Sequence, residues 1–258
     1  MELQIFNKIE TAQSPDFGGV LSRSFELFKK VWVDGLVHLL LNMAIALPLV
    51  MIIYIPLIGF AGFAGIFEQS GGQFPEAGFS VLMVLSFIIM FCVFMIVLIL
   101  VQAITIAITA HFFLVCKQKD LGLPVDAGGY FSYLKKENFK KTFLLAASGM
   151  GIALLAALLC YLPIFYVMVP LQLMIVIFAF NQDLTSSETI KASFKLGNRF
   201  WLIAFGLIFI SSMIAQVGIL LCGIGLFATA FFTHIPMYYF YKDTIGFEEN
   251  SGQNTIES

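Results

Sequence analysis

The sequence predicts an all-α polytopic membrane protein: a bundle of six transmembrane helices with about three cytoplasmic interfacial amphipathic helices and both termini cytoplasmic. Three observations predict it. Hydrophobic residues make up 60% of the chain and charged residues 12%, with mean hydropathy +0.94, a balance characteristic of chains that face lipid. Four long windows, 35–67, 77–116, 142–182 and 200–241, contain no Asp, Glu, Lys or Arg. Finally, threading six spans through these windows puts all 14 Lys and Arg residues on one side and leaves only Glu68 and Glu76 on the other. By the positive-inside rule the basic side is cytoplasmic.

The windows divide by their breakers. A span needs roughly 20 apolar residues at 1.5 Å each. The first window holds Pro48 and Pro56 and reads as one kinked span, about 35–65. The second has neither Gly nor Pro between Gly78 and Leu121, so it reads as one helix, about 79–116. At roughly 60 Å that helix must tilt or project from a ~30 Å hydrocarbon core. The third and fourth windows are each long enough for a hairpin. One turns at Tyr161-Leu162-Pro163, giving spans 142–160 and 164–182; the other turns near Cys222-Gly223-Ile224-Gly225, giving 200–219 and 224–241. Pro and Gly are the residues expected at such breaks.

Residues 1–247 therefore read as a single membrane domain, and 248–258 as a polar tail expected to be disordered. The opening MELQIFNKIE has no basic lead into a short apolar core, so span one is expected to serve as an uncleaved signal-anchor. Cys160 and Cys222 fall near the outer hairpin tips. A disulfide between them requires an oxidising side; otherwise they are small apolar residues packed between helices.

Each interfacial element precedes a span. Ser24, Phe25, Leu27, Lys30 and Trp32 share their spacing with Ser193, Phe194, Leu196, Arg199 and Trp201, and the chain has only these two tryptophans. Interfacial helices are expected at 17–32, about 128–141 and 186–199. The third carries a capping-box pattern at Thr185 and Glu188, with Ile190, Phe194, Gly197 and Trp201 at helical spacing. The expected membrane-interface anchors are Lys29, Lys30, Trp32, Lys135, Lys136, Lys191, Arg199 and Trp201, with basic groups toward anionic headgroups.

Three stretches carry a family resemblance: SPDFGGVLSRSFELFKKVW, LPIFYVMVPLQLMIVIFAFNQDLTSSETIKASFKLGNRFW and LLCGIGLFATAFFTHIPMYYFYKDTIG. Together they resemble the glycerophosphoryl diester phosphodiesterase membrane-domain family and related six-span bacterial proteins, over nearly all of residues 16–247. The resemblance implies a helical membrane domain, in some relatives joined to a phosphodiesterase catalytic domain for which this chain has no residues to spare. The opening also looks like Bacteroidetes-type versions, which implies a bacterial inner membrane.

No ionisable carboxylate, Lys or Arg lies within a predicted span, which weakens ion-coupled transport. Phosphate-loop glycines, HExxH and GxSxG are missing, so no enzyme is expected. AASGMG, residues 146–151, reads as a helix-packing surface, while Gln102, Thr105 and Thr109 form a polar stripe on the long helix. His38, His111 and His234 fall toward the cytoplasmic ends of three spans, with Asn42 one turn from His38. They form a candidate polar or headgroup pocket. Without a carboxylate beside any of them, neither a metal nor another cofactor is expected.

The expected partners are membrane lipids and a membrane or cytoplasmic protein, with nothing pointing to nucleic acid. The function expected first is a non-enzymatic scaffold or accessory subunit. The alternative is a permease or flippase-like protein for a lipid or small amphiphile, and an intramembrane enzyme comes third.

Overall fold

The computed structural model describes residues 2–69, 81–125, 128–159, 161–220 and 224–247. All of its regular elements are helical: α1 (Glu2–Thr11), α2 (Phe17–Gln69), α3 (Val81–Asp120), α4 (Lys136–Leu158), α5 (Leu162–Phe180), α6 (Ser186–Arg199), α7 (Trp201–Leu220), α8 (Ile224–Thr229) and α9 (Ile235–Thr244). Short 3-10 turns at Ser132–Leu134 and Ala230–His234 complete the set. Five of these helices contain stretches long and apolar enough to cross a membrane: Phe17–Ile52, Ile88–Asp120, Asn138–Leu158, Leu162–Phe180 and Trp201–Gly218. The chain is a multi-pass membrane protein.

The expected sixth span, 224–241, is broken. It runs as α8, a 3-10 turn and α9, and the break has a local cause. Pro236 has no N–H to give the Phe232 carbonyl, and Ile235 N–H closes on that oxygen instead, which is the 3-10 pattern. The interfacial helix expected at 17–32 is not a separate element either, because α2 continues through it for 53 residues. Nothing in GLVHLLLNM breaks a helix, so the amphipathic segment and the span fuse. At 128–141 the chain makes a 3-10 turn and then enters α4 directly at Lys136. The pairing of Cys160 with Cys222 falls outside the described residues.

At the third of these positions a separate helix is present, α6, with the reciprocal capping box formed: Thr185 Oγ1 accepts from Glu188 N–H and Glu188 Oε2 accepts from Thr185 N–H at 2.6 Å. Its buried face is not the aromatic one. Thr189, Ala192, Ser193, Leu196 and Gly197 are buried, and α6 runs back along α5 from Ser186 near Lys141 to Asn198 beside Tyr166. Small side chains win the contact because they let backbones approach. A Cβ on Gly197 would stand 3.2 Å from Pro170 Cγ.

Pro170 lies inside α5 and leaves the Tyr166 carbonyl without its helical donor. The Trp201 indole N–H takes the vacant place, at 3.2 Å, while the Tyr166 hydroxyl donates to Asn198 Oδ1 at 2.6 Å.

The α2 and α6 copies of the repeated motif keep the same buried pair, Ser24 with Leu27 and Ser193 with Leu196. In each copy the serine hydroxyl is turned back onto a carbonyl of its own helix, Val20 or Ile190.

The bundle core gathers at the end that carries the basic residues. Phe112, Phe113, Tyr133, Phe178, Phe232, Tyr238, Phe240 and Tyr241 are fully buried there. Lys119 ties α3 to Asp34 of α2 at 2.6 Å. Asp120 accepts from Tyr238, Tyr239 and Lys242 of α9 at 2.6–2.8 Å, and Arg23 of α2 pairs with Asp243.

Candidate functional site

Two places combine polarity with enclosure. The first is the predicted histidine site. His38 on α2 and His111 on α3 are 1% and 4% exposed, and His38 Nε2 lies 2.8 Å from His111 Nδ1. His38 Nδ1 is 2.6 Å from the carbonyl of Asp34, one turn earlier. His111 Nε2 is 3.2 Å from the carbonyl of Gly128. The Tyr130 ring covers both imidazoles at 5.1 and 4.9 Å, with Phe112 and Phe231 alongside.

His234 does not join the pair. The Phe231 ring lies between, 5.9 Å from His38 and 5.2 Å from His234, and His234 Nδ1 finds no hydrogen-bond partner among the described residues. Asn42 Oδ1 is buried and equally unpartnered there. Two histidines thus meet while the third stays one ring away. Among the described residues no group of three or more His, Cys, Asp or Glu could hold a metal.

The second place is a cavity of about 390 Å³ between α3, α4 and α5. Its lining includes Gln102 of α3, Gly149, Met150 and Ala153 of α4, and Met168 and Gln172 of α5, with no ionisable side chain. In the 146–151 stretch expected to form a helix-packing surface, Ala146 is fully buried and a Cβ on Gly149 would stand 3.4 Å from Met174 Cε of α5; the same stretch also lines the cavity. Gln102 is exposed on α3, so the cavity reaches the lateral surface of the bundle. Its volume falls in the range of sites that take one small-molecule ligand.

The basic anchors divide into two groups. Lys29 pairs with exposed Glu26; Lys30, Lys135 and Lys191 are exposed, as is Trp32. Lys136 opens α4. Arg199, itself exposed, and half-buried Trp201 bond within the protein. Arg199 donates to the carbonyls of Glu10 and Ala12, and Trp201 to that of Tyr166.

The receiver of Arg199 is α1 and the link after it, which the sequence reading did not resolve. Ile5 and Ile9 bury one face of α1, and Lys195 pairs with Glu10 and holds that carboxyl below the usual carboxylate range. Lys141 likewise donates to the Asn181 and Gln182 carbonyls. Nearby, the Tyr133 hydroxyl donates to the Ala179 carbonyl at 2.8 Å, and burial pushes this phenol up to about 12.

No family model, curated protein or solved structure matches the chain.

Proposed function

We propose that this protein binds a neutral membrane amphiphile in the cavity between α3, α4 and α5, as a permease or flippase-like protein does. The cavity carries the reading. A site with apolar and methionine walls and carboxamides but no ionisable group suits an acyl chain with a hydroxyl or amide head; a charged head would lie there unpaired. Gln102 offers both a donor and acceptors at membrane depth. Arg23, Lys119, Lys141, Lys195, Arg199 and Lys242 each engage a partner within the protein, which leaves fewer unpaired basic groups for a docking scaffold to present.

The basic end is cytoplasmic in this proposal and the membrane is a bacterial inner membrane, on the strength of the charge distribution and of the resemblance to the phosphodiesterase membrane-domain family. The proposal includes no catalysis.

Native mass spectrometry of nanodisc-purified protein tests the ligand. The wild type is expected to retain a neutral lipid, and Ala153→Phe, which fills the cavity, to lose it at least tenfold. Equal retention by both proteins, or a stoichiometric protein partner in place of lipid, would return the assignment to the scaffold class.

A further inference from the structure

The histidine pair raises a question of proton count. Three contacts run in line: Asp34 carbonyl to His38 Nδ1 at 2.6 Å, His38 Nε2 to His111 Nδ1 at 2.8 Å, and His111 Nε2 to the Gly128 carbonyl at 3.2 Å. Carbonyl oxygens only accept, so each contact needs one ring proton, and two neutral imidazoles supply two in total. The contact lengths locate the shortfall. Nδ1–H on both rings satisfies the two shorter contacts and sets the Nε2 lone pair of His111 against the Gly128 oxygen, the longest of the three.

We propose that His38 and His111 form a binding site for one proton, taken up at His111 Nε2, and that this proton fastens the Gly128–Tyr130 segment onto the bundle. The proton comes from solvent, completes the third hydrogen bond and leaves one positive charge on the pair. Tyr130 presents its ring to both imidazoles, and an aromatic ring favours an adjacent cation.

Among the described residues, the titratable groups around the pair are few. Asp34 on α2 has its carboxylate held by Lys119 of α3, Tyr130 lies on the segment itself, and His234 is screened by Phe231. Burial works against a charge on the pair, and Asp34, its own charge paired with Lys119, works in favour of it. The segment's other end is fixed independently of any proton, through Tyr133 to the Ala179 carbonyl and Thr142 to the Tyr133 carbonyl at 3.0 Å. Only the Gly128–Tyr130 end responds to pH. This proposal does not use the α3–α4–α5 cavity and stands apart from the amphiphile reading.

The experiment uses the full chain in nanodiscs between pH 5 and pH 8, with His234→Gln as background so that only the pair reports. Imidazole ¹⁵N NMR should show one proton gained per chain on acidification, located at His111 Nε2. Amide exchange of the Gly128–Tyr130 segment, corrected for intrinsic pH dependence, should slow roughly tenfold at the acidic end, as expected for a hydrogen bond from a charged donor.

His111→Gln keeps an N–H donor near the Nε2 position and should give slow, pH-independent exchange. His111→Leu should give fast, pH-independent exchange; should it misfold, the Gln variant and the wild-type spectra decide. No proton uptake, uptake of two protons, or exchange that ignores the protonation step would overturn the proposal.

Discussion

The basic end of the bundle and the far end are built on different physical principles. At the basic end, charged and phenolic groups from helices distant in sequence interlock, as in Asp120 with Tyr238, Tyr239 and Lys242. At the far end, large apolar side chains stand open: Leu158 is 81% exposed, Leu162 76% and Ile58 66%. Exposure of this kind is what lipid replaces water to cover. The difference teaches that the fold is specified at one end. The cavity opens among the middle helices, away from those polar ties.

Breaking the comparison starts with its strongest tie. Asp120→Ala leaves Lys242 and two tyrosine hydroxyls without their shared acceptor. It is expected to cost about 2–4 kcal/mol, since removing one partner of a half-buried ionic cluster leaves the others desolvated. Denaturant unfolding in detergent measures this, and a loss below about 1 kcal/mol would mean that the cluster is incidental to the fold.

Trp201→Phe tests the repair at Pro170. The ring can still pack on Phe205, but the Tyr166 carbonyl loses its donor, for an expected cost of about 1 kcal/mol. Restored stability in the double variant Pro170→Ala with Trp201→Phe would sharpen the assignment, because alanine returns the helical N–H.

The smallest effect is expected at the far end. Leu158→Ser should change unfolding in detergent by no more than about 0.5 kcal/mol, despite exchanging a large apolar side chain for a polar one. A loss comparable to that of Asp120→Ala would erase the distinction between the two ends.

How much of this was legible follows from the range of each signal. The long α3 could be read because a stretch without Gly or Pro is a local property, and α6 because its capping box lies within four residues. The meeting of His38 with His111 was legible as shared depth, since both sit a few residues from the charged border of their windows. Its bond geometry was not, because Gly128 and Tyr130 arrive from a separate connection.

The Asp120 cluster and the Arg23–Asp243 pair escaped because their partners lie 118 to 220 residues apart, and nothing in either segment names the other. α1 escaped because only Ile5 and Ile9 bury deeply in a short polar stretch. The cavity could not be read from residue type, since Gly149 and Ala153 serve close contact and open space equally well.

The fused α2 also has a mechanical consequence. Its 53 residues make a rod about 80 Å long, gripped near one end by the Arg23–Asp243 and Lys119–Asp34 ties. It is a cantilever, whose arm beyond the buried Asn42 amide oxygen, as far as Gln69, extends about 40 Å. A pivot of about 5° at the grip sweeps the tip through roughly 3–4 Å. Pro48 and Pro56 each remove a helical hydrogen bond and are soft points along the beam, so bending concentrates there while the grip holds still.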